Sequence, residues 1–160
     1  EVDERYNLEI STQKACEYLQ EAYDKFDSWT MAAASYNVGM NGTTRRSKEQ
    51  NSDNYYDLLL PTETSRYIFR LLAIKEIFEN QSKYGFVVRS SDLYKYPDTK
   101  KIILSQSNVN LANYSDSLGV NYKILKEFNP WLRDKKLTNK SSKRYTIILP
   151  NPAEVHIFKK

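Results

Sequence analysis

Tyr36 and Asn37 set an aromatic ring beside an amide at the end of a short alanine-rich stretch, and Glu63, Thr64 and Tyr67 follow near the start of a later helical pattern. An amide that both donates and accepts, next to a flat ring, suits a ligand built of hydroxyl and acetamido groups with flat apolar faces, as a sugar polymer is. A plainer role fits the same residues: Tyr36 and Tyr67 as core tyrosines and Asn37 as a helix stop. Other chemistries find little material. His156 is the only histidine and Cys16 the only cysteine, which leaves nothing for a catalytic triad, a histidine-based zinc site, a disulfide or a cysteine-rich metal site. No cofactor is expected. Cys16 shares a helical pattern with Ala15, Leu19 and Ala22, so a buried structural thiol is expected there.

The elements that must position these residues are legible from spacing. Ser11 can cap a helix whose apolar stripe is Ala15, Leu19, Ala22 and Phe26, flanked by Tyr18 and Tyr23. Asp27 or Ser28 offers a second cap for a helix over Trp29 to Tyr36 that stops near Gly39. Residues 37–54 are polar, carry Asn41-Gly42 and lack apolar periodicity, which predicts a surface loop. After Pro61, Thr62 is the expected cap of a third helix, with Tyr67, Leu71, Ile74 and Phe78 as its inward face, fading near Asn80. The last third changes character: Ile102-Ile103-Leu104 predicts a strand, Leu111 to Leu118 a helix ended by Gly119, Asn121 the cap of a second helix with Ile124, Leu125 and Phe128, and Tyr145 to Leu149 a closing strand. In about fifty residues that order requires the two strands to pair antiparallel under both helices. The expected organisation is α+β: an all-α unit over 1–88, a linker over 89–97, a small βααβ unit over 98–151 and a tail over 152–160.

The chain has 160 residues, 24 Lys plus Arg against 20 Asp plus Glu, and a net charge of +4. The basic residues are interleaved with acids rather than gathered in one stripe, except for Arg133, Lys135, Lys136, Lys140, Lys143 and Arg144, which a solvated loop explains. Nucleic acid is therefore not expected as a partner. No apolar run reaches the roughly 20 residues of a membrane helix. A chain opening on Glu1 rather than Met reads as a processed or cut piece, with any export signal or lipid anchor lying ahead of it.

Three segments of the first part resemble the lytic transglycosylases of the lysozyme-like superfamily, particularly their membrane-bound type D branch. These are Val2-Asp3-Glu4-Arg5 followed by Ser11 to Leu19; Ala34-Ser35-Tyr36-Asn37-Val38-Gly39, similar to an Ala-x-Tyr-Asn-x-Gly motif; and Tyr55-Tyr56-Asp57-Leu58-Leu59-Leu60-Pro61-Thr62-Glu63-Thr64-Ser65-Arg66-Tyr67-Ile68, similar to a Leu-Pro-x-Glu-Thr-x-x-Tyr-Val segment. The resemblance covers roughly residues 1–80 and implies a partial lysozyme-like fold. It further implies that Tyr36, Asn37, Gly39 and Tyr67 border a glycan cleft shaped by Glu63 and Thr64. The reaction it implies is non-hydrolytic cleavage between N-acetylmuramic acid and N-acetylglucosamine of peptidoglycan, releasing anhydro-muropeptides. That chemistry needs one protonated glutamic acid acting as acid and then base. In the family this glutamate stands in a Glu-Ser pair followed by Gly-Leu-Met-Gln, upstream of the Tyr-Asn motif. Neither occurs between Glu1 and Ala34, and Glu4, Glu9, Glu17 and Glu21 match no catalytic motif. The expectation is an acid upstream of Glu1 and no cleavage by this chain alone.

Residues 98–150 resemble a LysM module through Ser117 to Asn121, the run Leu125 to Leu132 with its Asn129-Pro130 turn, and Tyr145 to Pro150. Where such modules have Gly-Asp-Thr-Leu, this chain has Asn108-Val109-Asn110-Leu111. The resemblance implies glycan binding near Asn108, Asn110, Asn129 and Trp131; Trp131 either stacks on a sugar or closes the small core. Peptidoglycan strands are thus the expected partner, in the periplasm or cell envelope, with outer-membrane anchoring through a preceding segment. The alternative is a non-catalytic protein that only attaches to peptidoglycan or N-acetylglucosamine.

Overall fold

The computed structural model describes residues 1–151 and divides the chain into two compact units: Thr12–Leu93, and a second that joins Glu1–Ser11 to Tyr94–Lys160. The class is α+β. The expected tail over 152–160, with His156, lies outside the described residues.

The first unit is helical. Helix α1 spans Leu8–Phe26, and the division between units falls within it, after Ser11. Its start differs from the expected Ser11 cap: Asn7 Oδ1 accepts the Ile10 N–H at 3.2 Å, and Ser11 already lies inside the first turn. Helix α2, Trp29–Val38, is capped by Ser28, which accepts the Met31 N–H. It buries Met31, Ala32, Ala34 and Ser35, small side chains that let neighbouring backbones approach. Helix α3, Met40–Gln50, replaces the expected loop. Its sequence has no apolar stripe because it packs on α2 through threonine. Thr43 is buried, and Thr43 and Thr44 turn their hydroxyls back to the carbonyls of Gly39 and Met40, so the contact face carries no apolar signature. Asn51 ends it in the left-handed conformation, φ 49°.

Helix α4, Thr62–Glu79, begins one residue after Pro61 and meets α2 near its start. The core gathers Met31, Ala34, Tyr55, Leu58 and Ile68, with Phe26, Leu60 and Tyr67 against it. The expected inward face of α4 is corrected. Tyr67 is half-buried, but Leu71, Ile74 and Phe78 are exposed, Phe78 to 71%, because no described element covers the later turns. Cys16 is likewise exposed rather than buried.

The second unit is built on two strands, β1 Thr99–Leu104 and β4 Tyr145–Pro150, paired antiparallel from Thr99↔Pro150 to Leu104↔Tyr145. Between them run β2 Val109–Asn110, α5 Leu111–Ser117, α6 Tyr122–Phe128 and β3 Lys136–Leu137, with β2 pairing β3. Asn110 and Asn121 cap the two helices through their Oδ1 atoms. Leu104, Leu111, Ile124, Leu125, Trp131 and Ile147 form its core. Glu1–Ser11 is part of this unit. Val2 bridges Leu132, the Asp3 N–H donates to Trp131 O at 2.9 Å, and the Arg133 N–H to Glu1 O at 2.8 Å. Two charges of the basic tract are engaged there, Lys143 with Glu4 at 3.0 Å and Arg133 over the Tyr6 ring at 4.0 Å. No helix among the described residues is long and apolar enough to cross a membrane.

Candidate functional site

The end of α2 is shaped by Gly39, whose φ of 81° and ψ of 147° fall where side-chain-bearing residues are strained. Tyr18 of α1 braces both sides of that bend. Its hydroxyl donates to Ser35 O at 2.8 Å and accepts the Met40 N–H at 3.1 Å. The Tyr18 ring meets Tyr36 edge to face, centroids 5.5 Å apart at 79°. Tyr36 is thereby held by its neighbour while 48% of its surface stays open.

Asn37 Oδ1 accepts the Thr64 hydroxyl at 2.8 Å, and Thr64 is buried at the start of α4. Among the described residues the Asn37 amide N–H groups have no protein acceptor and face solvent. Tyr55, buried between α3 and α4 in sequence, donates its hydroxyl to the carbonyls of Thr64 and Ser65 at 2.8 and 2.7 Å. Burial pushes the Tyr55 phenol upward, so it remains a donor at neutral pH. Tyr36, Asn37, Gly39 and Thr64 are thus brought together where α2 meets α4. Tyr67, one turn beyond Thr64, is half-buried against the core. Glu63 is exposed and paired with Arg70 at 2.6 Å. Tyr18 and Tyr55, which hold this arrangement, were not among the predicted site residues. Their only sequence signal is aromatic identity, since each acts through a hydroxyl bond to backbone 9–22 positions away.

The arrangement offers hydrogen-bond donors and a ring face but no acid. A glutamic acid held protonated near neutral pH requires a partly apolar enclosure. Glu17, Glu49, Glu63, Glu76 and Glu79 of this unit each pair with a lysine or arginine, and Glu21 is exposed. Lys14 donating to Glu17 moves that carboxyl below its ordinary value, opposite to what an acid needs. Among the described residues no group of three or more His, Cys, Asp or Glu is placed to hold a metal.

In the second unit the four predicted glycan contacts separate. Asn108 is exposed at φ 55°, a conformation asparagine tolerates, and its N–H donates to Thr138 O. Asn110 is exposed, its Oδ1 committed to capping α5. Asn129, expected at a sugar-binding surface, is fully buried: its amide donates to Leu125 O and Ile148 O and accepts the Ile148 N–H at 2.8 Å, lacing α6 to β4. Trp131 takes the core position, 3% exposed and stacked on Tyr145 at 5.5 Å. Lys126, unremarked in the sequence, donates to the carbonyls of Leu132 and Asp134, and burial lowers its ammonium.

Residues 1–59 match the transglycosylase SLT domain, and residues 100–153 match the soluble lytic transglycosylase C-terminal LysM-like domain. The chain thus pairs a helical region similar to the SLT domain with a two-stranded region similar to the LysM-like domain of soluble lytic transglycosylases. It is similar to membrane-bound lytic murein transglycosylase D of Escherichia coli strain K12, 29% identical over 140 residues, a match covering 84% of this chain and 30% of that protein. The protein of the same description from Escherichia coli O6:H1 matches with the same identity and coverage. The chain spans less than a third of the length of these curated relatives.

Proposed function

We propose that this chain is part of a peptidoglycan lytic transglycosylase of the cell envelope, and that it binds the glycan strand without itself cleaving it. The whole protein cuts the bond between N-acetylmuramic acid and N-acetylglucosamine, the 6-hydroxyl of the muramic acid attacking to close an anhydro ring. Tyr36, Asn37 and Thr64 form one wall of the cleft, with Tyr67 behind them, Glu63 at the rim and Gly39 turning the chain. Asn108 and Asn110 provide the exposed amides of the LysM-like unit. The glutamic acid that protonates the leaving oxygen and then serves as base comes from a segment outside this chain.

The observation that carries this reading is the placement of the glutamates of the helical unit: five of the six lie within ion-pair distance of a lysine or arginine and the sixth is exposed. The exposed apolar length of α4 agrees with it. Phe69, Leu72, Ile74 and Phe78 are each more than half exposed, a surface that further helices of the same domain would cover.

Purified sacculi test both parts. The chain is expected to co-sediment with them and to release no anhydro-muropeptides, as read by mass spectrometry of the supernatant. Anhydro-muropeptide release overturns the assignment of the acid to another segment; failure to bind overturns the glycan reading.

A further inference from the structure

Helix α6 and the turn after it border a shallow hollow of about 500 Å3 that none of the roles above uses. Tyr122 and Pro130 give it apolar walls, and Lys123, Lys126, Glu127 and Arg133 supply its charges. Lys123 and Glu127 lie 3.6 Å apart and largely offset each other. Lys126 and Arg133 have no carboxylate within ion-pair distance among the described residues. Both are nevertheless held in place, by groups that leave the charge unmatched. Lys126 Nζ donates to the carbonyls of Leu132 and Asp134 and lies 5.8 Å from the centre of the Tyr122 ring. Arg133 donates to Pro130 O at 3.1 Å and sits over the Tyr6 ring at 4.0 Å.

A structural tether does not account for the pair. A neutral donor would satisfy the carbonyls of Leu132 and Asp134 without importing a charge, and the two cations repel: burial first, then the Arg133 charge, lowers the Lys126 ammonium. Two like charges fixed side by side, with no counter-charge from the chain, form a receptor for an anion. The Arg133 guanidinium keeps N–H groups beyond the one given to Pro130 O, and a carboxylate takes such a fork through both oxygens. The walls select what carries the anion, because Tyr122 and Pro130 favour aliphatic groups over a fully hydrated phosphate. The Tyr122 hydroxyl has no hydrogen-bond partner among the described residues, so it can donate to a carbonyl. Glu127, too far from Lys123 for a good hydrogen bond, can accept an N–H. Carboxylate, carbonyl, N–H and small apolar groups together are the end of a peptide chain.

We infer that this hollow takes the free carboxyl end of a peptide, with Lys126 and Arg133 on the carboxylate, the Tyr122 hydroxyl donating to a peptide carbonyl, Glu127 accepting a peptide N–H, and Tyr122 and Pro130 against small aliphatic side chains. The inference uses no residue assigned to the glycan and does not depend on that assignment.

The test is a titration of the 15N-labelled full chain with N-acetyl-Ala-Ala, whose carboxyl end is free, and with its carboxamide. The acid is expected to shift the backbone amide signals of Tyr122, Lys126 and Arg133 saturably, and the carboxamide to bind about tenfold more weakly or worse. Arg133→Gln is expected to lose a similar factor, and Arg133→Lys a smaller one, since it keeps the charge and loses the fork. Leu125 and Ile147 amide signals at their unaltered positions check that the core of each variant is intact. The carboxamide comparison is made on the unaltered chain, so it decides the matter even where a variant does not fold. Equal affinity for acid and carboxamide, or no saturable shift within residues 122–133, overturns the inference. Acetate or inorganic phosphate binding as tightly as the peptide overturns the ligand class, because the hollow then reads an anion and nothing of the chain behind it.

Discussion

The Thr64 hydroxyl donates to Asn37 Oδ1 across 2.8 Å, and this bond joins the first turn of α4 to the last turn of α2. It also decides which half of the Asn37 amide remains free. With the oxygen occupied by a buried hydroxyl, the N–H groups are the half turned to solvent, so the site presents donors rather than acceptors at this position. Thr64→Val keeps the buried shape but removes the hydroxyl. Stability measured by urea denaturation should fall by about 1 kcal/mol, and sacculus binding should weaken because Asn37 is no longer oriented. Unchanged binding in a folded Thr64→Val protein would show that the orientation of Asn37 is immaterial.

Gly39 separates two causes of destabilisation. A Cβ added there meets nothing within 4 Å, yet the backbone sits at φ 81°. Gly39→Ala should therefore cost about 1–3 kcal/mol through backbone strain alone. The bend held by Tyr18 should move with it, detectable as a change in the Met40 amide resonance. A loss below a few tenths of a kcal/mol in thermal unfolding would argue against strain at this bend.

Asn129 is predicted to be a stability residue. Asn129→Ala removes the acceptor of the Ile148 N–H and the amide donor to the Ile148 carbonyl inside the second unit, while Leu125 O keeps the backbone N–H of residue 129. The loss should be roughly 1–3 kcal/mol or more, seen as a lowered transition for the LysM-like unit. Weaker sugar binding with native stability would instead place Asn129 in direct contact with ligand.

Acid should release the amino-terminal segment first. Arg5 donates to Asp3 and holds its carboxyl at about 2, below its ordinary 3.8, and the hydrogen bonds from Thr138 lower Glu1. Both values are depressed on folding, so their contribution is complete above the ordinary carboxylate range and is lost as pH falls through the lowered values. The window for Asp3 runs from about 4 down to about 2. Amide resonances of Glu1–Tyr6 should shift in that window while those of Leu125 and Ile147 hold. Release beginning near neutral pH would contradict it.

Much of the second unit was legible because its signals are local. Asn121 precedes an apolar helix and caps it, and the apolar runs at Ile102–Leu104 and Tyr145–Leu149 are the two paired strands. Gly39 marked the end of α2 for the same reason: a glycine stop needs only its own φ. Helix α3 was missed because its packing face is threonine, and α4 misled because its apolar spacing signals a buried face that no described residue provides.

The amino-acid order by itself determined the α+β class, the caps, the antiparallel strand pair and the motifs similar to the SLT and LysM-like domains, since each depends on neighbours a few positions away or on a pattern of types. The tertiary structure alone decided how each polar group is used. It buried Asn129 as a tie between α6 and β4, engaged the Asn37 oxygen with Thr64, left the Trp131 indole N–H without a partner among the described residues and folded Glu1–Ser11 with residues more than a hundred positions later. Those outcomes depend on which backbone groups meet across long separations, and a residue's type and spacing carry no record of such meetings.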